Sequence, residues 1–313
     1  MITTEGPTGS EVVVAVDLGG TLTKIAYVTR DGSATDVRRV ETKIDDHGAV
    51  PPEWLAELII EAARPRNELT TRGYGFVAPG IIDVAAGIVR VAPNVGWHDV
   101  PIRQVLDSIT GLPGTIGHDV RAGGLAEWRL GGRSEADNLL FLPLGTGIAG
   151  AAIVDGRLLE AGGYAGEIGH LHVSVADQHC ACGAYGCLET VASASGVARS
   201  YLRTAGLRRT AQEVADLARS GDQAALQAFA VAVAGLAEAL AAYTALLAPE
   251  IVIIGGGLVG AADLIMDELA QALEDRLSFH RRPRLFTAAL GSDAGVRGAG
   301  LIGWDHLIDQ GSS

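Results

Sequence analysis

The chain has 313 residues, 48% of them hydrophobic, and its 37 acidic and 24 basic side chains leave a formal charge of −13. That length exceeds what one hydrophobic core usually organises, so two domains are expected. The acidic balance excludes partners bound through clustered Lys and Arg, nucleic acid first among them.

Residues 1–9 are small or polar and read as a disordered tail without signal-peptide character, which predicts a cytoplasmic protein. Residues 12–18 read as a buried strand, followed by Gly19-Gly20-Thr21, a second strand over 24–29 and an Asp31-Gly32 turn. Residues 114–117 lead into His118-Asp119 and a helix over 120–130. Asp119 stands where an N-cap accepts backbone N–H groups, and equally where a carboxylate on a strand-to-helix turn takes a proton from a substrate hydroxyl. The roles are only partly compatible, because a carboxylate fully engaged in capping is a poorer base.

The opening pattern then recurs: a strand over 139–144, Gly145-Thr146-Gly147, a strand over 149–154 and the turn Asp155-Gly156. Either hairpin alone would be ordinary. Together they predict two related α/β domains facing one cleft, with boundaries at 1–118 and 119–293 and a C-terminal helix over about 294–313 rejoining the first. Glycine lets backbone N–H groups approach phosphate oxygens, and the threonine hydroxyl adds a donor. Asp17 ends the first strand where the second has Pro143, so only the first hairpin offers a carboxylate for a hydrated Mg²⁺, with Lys24 adding charge nearby. No Gly-x4-Gly-Lys-Ser/Thr pattern occurs, so a P-loop is not supported.

The three cysteines of the chain lie together in His-x9-Cys-x-Cys-Gly-x-x-Gly-Cys, formed by His170, Cys180, Cys182 and Cys187. Three thiolates and an imidazole complete the tetrahedral shell of a structural zinc, with His172 or His179 as substitutes for His170. A disulfide would leave an odd thiol, and Cys180 and Cys182 are too close in sequence to pair easily. Glu167 and Glu189 flank this loop without being needed by the metal, which points to carboxylates held for another task.

Residues 224–248 are Ala-rich and apolar but carry Gln227 and Glu238 before Pro249, the pattern of a buried core helix and not of a membrane span. A strand over 251–254 runs into Gly255-Gly256-Gly257-Leu258-Val259-Gly260, which matches Gly-x-Gly-x-x-Gly ahead of a helix over 261–273. Asp275 falls on that same helix instead of ending a following strand, so a dinucleotide site is disfavoured. The glycines suit close approach to adenine and ribose.

With these residues in hand the chain resembles the ROK sugar kinases of the actin-like and hexokinase-like phosphotransferases, along essentially its whole length. Asp17-Leu18-Gly19-Gly20-Thr21 is similar to that family's first phosphate loop, Leu144 to Gly150 to its second, and Ile254-Gly255-Gly256-Gly257 to its adenosine segment. Gly166-Glu167-Ile168-Gly169-His170, with the cysteine loop and Leu188-Glu189, carries the most specific part of the likeness. The resemblance implies two related actin-like (ribonuclease H-like) α/β domains flanking a cleft, with a structural zinc loop over 170–187. It also implies ATP- and Mg²⁺-dependent phosphorylation of a hexose at its 6-hydroxyl, glucose first, with N-acetylmannosamine, N-acetylglucosamine or another hexose behind it. Asp119 takes the general-base position, Glu167, His170 and Glu189 fall on sugar-contacting positions, and Pro79-Gly80 and Ala92-Pro93-Asn94, with Trp97, resemble segments shaping the sugar side. A homo-oligomer, dimer or tetramer, is expected.

The family usually has Asn-Asp where this chain has His118-Asp119, so a histidine facing the sugar would make affinity pH-dependent near the ordinary imidazole value of about 6.5. The alternative has His118 turned onto the helix. Repressors of the family carry an N-terminal winged helix; a first strand starting near residue 11 leaves no room for one, which favours a kinase over a non-catalytic sugar sensor. A polyphosphate donor has no concentrated basic track to support it.

Overall fold

Valine at 12, 14 and 16 and leucine at 18 put one face of β1 (Ser10–Leu18) into a core with α1 (Pro52–Ala63) and α2 (Ile102–Thr110), while Ala15 looks the other way. Burial on both faces is why this strand reads as an unbroken apolar run and not as an alternating one. The computed structural model describes residues 10–65 and 69–311; the tail expected over 1–9 lies outside them.

The chain divides into two units. The first holds the described residues up to Ala126, Glu160–Tyr164 and those from Asp293 onward; the second holds Glu127–Leu159 and Ala165–Ser292.

In the first unit, β1 pairs antiparallel with β2 (Leu22–Val28), β2 with β3 (Ala34–Glu41), and β1 parallel with β4 (Leu69–Ala78), which pairs with β8 (Gly114–His118). A small meander of β5 (Ile81–Asp83), β6 (Ile88–Ala92) and β7 (Trp97–Val100) lies between β4 and α2 in sequence. The helix α3 (Asp119–Leu130) follows β8 directly, and the division between the units falls within it. The second face of the sheet receives α9 (Ala294–Gly311) through Ala15, Ala26, Val28, Val77, Val296 and Ala299. Small residues on both sides allow a close approach: a Cβ on Gly75 would collide with the Ala299 carbonyl.

The second unit repeats this order. Its sheet runs β11 (Arg157–Leu158), β10 (Ala151–Val154), β9 (Leu139–Pro143), β12 (Ile251–Gly255), β13 (Arg284–Thr287), again three antiparallel strands followed by two parallel ones. The strand–glycine–strand echo of the sequence is thus a repeated topology. Around this sheet lie α4 (Glu189–Ala192), α5 (Ala194–Ala205), α6 (Ala211–Arg219), α7 (Gln223–Leu247) and α8 (Met266–Glu274). The helix α7 is long and apolar enough to cross a membrane, yet Phe229, Val233, Leu236 and Leu240 are buried in the core of this unit.

One helix differs from expectation. Residues 257–264 form a 3₁₀ segment with a kink at Ala261, and the α-helix begins only at Met266, not at 261. Glycines at 255, 256, 257 and 260 remove the propensity needed to start an α-helix there. Asp275 is the C-terminal cap of α8 and precedes β13, so it cannot hold a ribose as the dinucleotide pattern requires.

Candidate functional site

The first unit gathers Asp17, Lys24, His118 and Asp119. Register places Lys24 opposite Asp17 on the β1–β2 pair, and Lys24 Nζ lies 3.6 Å from Asp17 Oδ2. Burial, reinforced by the charge of Asp119, pushes the Asp17 pKa up to about 6 in spite of Lys24. Asp293, bonded by Arg39 at 3.0 Å, adds to the negative field. The loop beyond Asp17 is held from behind. Thr42 Oγ1 donates to the Gly19 carbonyl at 2.7 Å, the Thr42 N–H donates to the Thr21 carbonyl, and Gly20 and Thr21 stay exposed.

A raised carboxyl pKa has a definite sign in stability. Below the unfolded value both states are protonated; as pH rises through about 6 the folded state must charge a disfavoured site, so this group's stability contribution is lost. Asp17→Asn should therefore raise ligand-free stability near pH 8 by on the order of 2–3 kcal/mol, with the gain vanishing toward pH 4. Urea unfolding at both pH values tests this, and a variant less stable than wild type at pH 8 would refute it.

At the end of β8, His118 Nδ1 accepts the Val120 N–H at 3.1 Å and the Arg121 N–H at 3.4 Å, so the histidine caps α3 and the helix starts at Asp119. Asp119 Oδ1 also accepts the Val120 N–H, at 2.6 Å, while Oδ2 takes no part in the cap. The cap of α3 is thus shared, with His118 accepting from two amides and Asp119 from one. Burial raises the Asp119 pKa, with the Val120 bond and the Arg121 charge opposing it. Arg121, buried, donates through Nη1 to the Gly163 carbonyl at 3.1 Å.

The expected titration of His118 near pH 6.5 is not met. Burial and the Arg121 charge push its pKa down to about 3, so the ring is neutral. With Nδ1 accepting, the proton sits on Nε2, a donor and nothing else. His118→Asn should keep the cap, whereas His118→Leu should cost about 1–2 kcal/mol in a chemical unfolding experiment. Equal stability of the two variants would remove the capping role.

Pro79 and Gly80 follow β4, and Asn94 sits in the 3₁₀ turn Pro93–Val95, its carbonyl oxygen 3.2 Å from where a Gly20 side chain would begin. Trp97, grouped with them in sequence, is a core residue: buried, with Nε1 donating to the Val50 carbonyl at 2.7 Å.

In the second unit His170, Cys180, Cys182 and Cys187 place one ligand atom each within 4.8 Å of one another. Cys182 Sγ lies 3.7 Å from Cys187 Sγ, and Cys180 Sγ 3.7 Å from His170 Nδ1. A disulfide would need about 2.05 Å, whereas thiolates about 2.3 Å from a tetrahedral zinc sit at separations of this kind. His172 and His179 are not in the cluster. His170 Nε2 instead faces Glu167 Oε2 at 3.8 Å, so the ring presents its two nitrogens to two different partners.

The cysteine loop and the second glycine loop are interlocked. Glu189 Oε2 accepts the Ile148 N–H at 3.3 Å while Oε1 takes the Cys180 thiol at 3.1 Å. The Ala194 N–H donates to the Gly145 carbonyl at 2.8 Å, and the Gly150 N–H to the Gly166 carbonyl at 2.6 Å. Gly166 has φ +97°, and any side chain on Gly166 or Gly169 would strike the carbonyls of Gly150 and Ile148. Thr146 and Gly147 remain exposed at the tip. The Gly255-Gly256-Gly257 turn joins the same loop, with the Leu144 N–H donating to the Gly255 carbonyl at 2.9 Å and the Leu258 N–H to the Leu144 carbonyl at 3.2 Å.

Sequence reading missed Asp293, Arg121 and Glu127. Glu127, buried, accepts the Ala289 and Leu290 N–H groups at 2.9 and 2.8 Å. Partners more than a hundred residues away leave no local signal for it.

The ROK family model matches residues 13–304. A glucokinase of Halalkalibacterium halodurans is 33% identical over 92% of this chain and 94% of its own length. An N-acetylmannosamine kinase of Escherichia coli is 30% identical, covering 94% and 98%, and a xylose repressor of Caldicellulosiruptor bescii is 27% identical, covering 84% and 70%. Among solved structures, a ROK hexokinase from Thermus thermophilus superposes with a TM-score of 0.83 at 31% identity, over 95% of this chain and 99% of that one. A ROK family glucokinase from Streptomyces griseus, in complex with glucose and AMPPNP, gives 0.77 at 25% identity, over 94% and 99%. The chain belongs to the ROK family and has that family's α/β sugar-kinase fold.

Proposed function

We propose that the protein is an ATP-dependent hexose kinase that transfers the γ-phosphoryl group to a sugar 6-hydroxyl, glucose first among its substrates. The observation that carries this is the Asp17–Asp119 pair: two carboxylates in one negative field, both with raised pKa values. Their surroundings differ: Asp17 lies against Lys24 at the first glycine loop, where a cation beside phosphates belongs, and Asp119 stands at the head of α3 with Oδ1 on the Val120 N–H and Oδ2 left to take a proton.

In the proposed reaction Asp119 accepts the proton of the sugar hydroxyl as its oxygen attacks the γ-phosphorus in line, and ADP departs with the electron pair of the broken bond. A raised pKa makes Asp119 a stronger base at neutral pH than an ordinary aspartate. Backbone N–H groups of Gly19, Gly20, Thr21 and Gly145, Thr146, Gly147 hold phosphate oxygens, and Gly255, Gly256 and Gly257 admit adenosine at close range. Mg²⁺, when bound, neutralises phosphate charge; Asp17 would hold it, and its burial beside Asp119 fits a carboxylate awaiting a cation. Glu167, His170 and Glu189, with Pro79, Gly80, Asn94 and His118, contact the sugar. A structural zinc on His170 Nδ1 and the three thiolates would fix the tautomer of His170, leaving Nε2–H toward the sugar.

The glucokinase relatives support glucose, while the N-acetylmannosamine kinase relative keeps an N-acetylated hexose as a second substrate. A coupled ADP-release assay over a panel of hexoses and N-acetylhexosamines tests both. Sugar binding with no ADP release from any of them would instead identify a sensor, the other class of protein in this family represented by the xylose repressor.

A further inference from the structure

Arg219, the last residue of α6, spends its guanidinium on the 3₁₀ segment that follows the triple glycine. Nε donates to Asp263 Oδ2 at 2.9 Å and Nη2 to Asp263 Oδ1 at 2.7 Å, a two-pronged grip on one carboxylate. Nη2 also donates to the Gly260 carbonyl at 2.7 Å, and Nη1 to Asp216 Oδ1 at 2.9 Å, one turn back on α6.

The segment needs such an outside anchor. A 3₁₀ helix has poorer hydrogen-bond geometry than an α-helix and rarely persists beyond a few residues. Here two such turns meet within Gly257–Leu264, broken at Ala261, whose φ and ψ are not helical. Its apolar side is fixed by Leu258, Ala261 and Ile265 in the core and by the Leu258 N–H bond to the Leu144 carbonyl. On its outer side Gly260 and Asp263 are both exposed, and the guanidinium fork fixes both at once. A planar fork with two parallel bonds sets orientation as well as distance, which an ammonium cannot do.

We infer that Arg219 is a positioning residue for nucleotide binding: by latching Gly260 and Asp263 it holds the Gly255-Gly256-Gly257 turn in the geometry that receives adenosine. The inference rests on the kinase reading of that turn.

Two measurements on the full-length protein test it. In Arg219→Ala, amide hydrogen exchange over Val259–Leu264 without nucleotide should speed up at least tenfold relative to the rest of the second unit; unchanged protection overturns the latch. The same variant should raise KM for ATP by roughly fivefold to thirtyfold, with kcat and the sugar KM within about twofold of wild type. Arg219→Lys should recover only part of the loss, and Asp263→Ala should reproduce Arg219→Ala without adding to it in the double variant. Faster exchange with an unchanged ATP KM overturns the link to nucleotide, as does an equal rise in the sugar KM. Failure of wild type itself to bind ATP by calorimetry would overturn the kinase reading, and is seen before any variant is made.

Discussion

Asparagine at position 119 is expected to lower kcat by roughly 10²–10⁴ while sugar affinity changes little, as when a general base is removed from an otherwise intact site. The substitution suits the geometry. Asn keeps an oxygen for the Val120 N–H, and His118 keeps its share of the cap of α3, so the helix start survives. Removing a carboxylate that burial disfavours should leave the variant at least as stable as wild type. The expected signature is therefore a folded protein that binds glucose by calorimetry and turns over slowly. In wild type, kcat/KM should fall as pH drops through the raised Asp119 value, since protonation removes the acceptor. Normal turnover in Asp119→Asn would leave Asp119 with no role beyond its bond to Val120.

The second large effect is expected at the cysteine loop. Metal analysis of protein purified without chelators should give about one zinc per chain, with all four positions filled by protein and hence no Lewis-acid role. Structural zinc contributes roughly 10 kcal/mol or more of apparent binding energy in small domains. Cys182→Ser, which changes the exposed one of the three cysteines, should lower Tm markedly and weaken ATP as well as sugar binding. The double effect follows from the interlock: Glu189, two residues beyond Cys187, accepts the Ile148 N–H, the Ala194 N–H donates to the Gly145 carbonyl, and Gly166 and Gly169 press against the second glycine loop. Loss of sugar affinity alone would show that the loops move independently. Absence of zinc would end the metal assignment.

Local chemistry was legible in the sequence and distant chemistry was not. The two hairpins declared themselves because glycine turns and apolar strands are short-range signals, and the cysteine spacing because a tetrahedral shell needs its donors close together. The helix α3 was read from 120 and begins one residue earlier, and Asp119 was weighed as its cap against a role as base, since aspartate caps more often than histidine; only the structure shows Nδ1 of His118 aimed at two amides. The helix expected from 261 became a 3₁₀ segment because the glycines outweighed the apolar pattern. Arg219 with Asp263, and Glu127 with the amides of 289 and 290, are meetings across 44 and more than 160 residues that no periodicity announces.

The place of α9 bears on how the chain is made. The sheet that carries Asp17 and leads through β8 into Asp119 has its alanine-lined face covered by this helix, through Val296, Ala299 and the Trp304 Nε1 bond to the Val28 carbonyl. A ribosome moving at about 5–20 residues per second needs on the order of ten to forty seconds to travel from His118 to Ala294. During that time one side of the nascent sheet has no lid, and the proposed base stands on an unfinished platform. The segment that completes the second unit, up to Ser292, is by then already synthesised. The order of completion thus inverts the order of initiation: the half begun first is finished last, and nascent chains arrested before residue 294 should engage chaperones through the first unit.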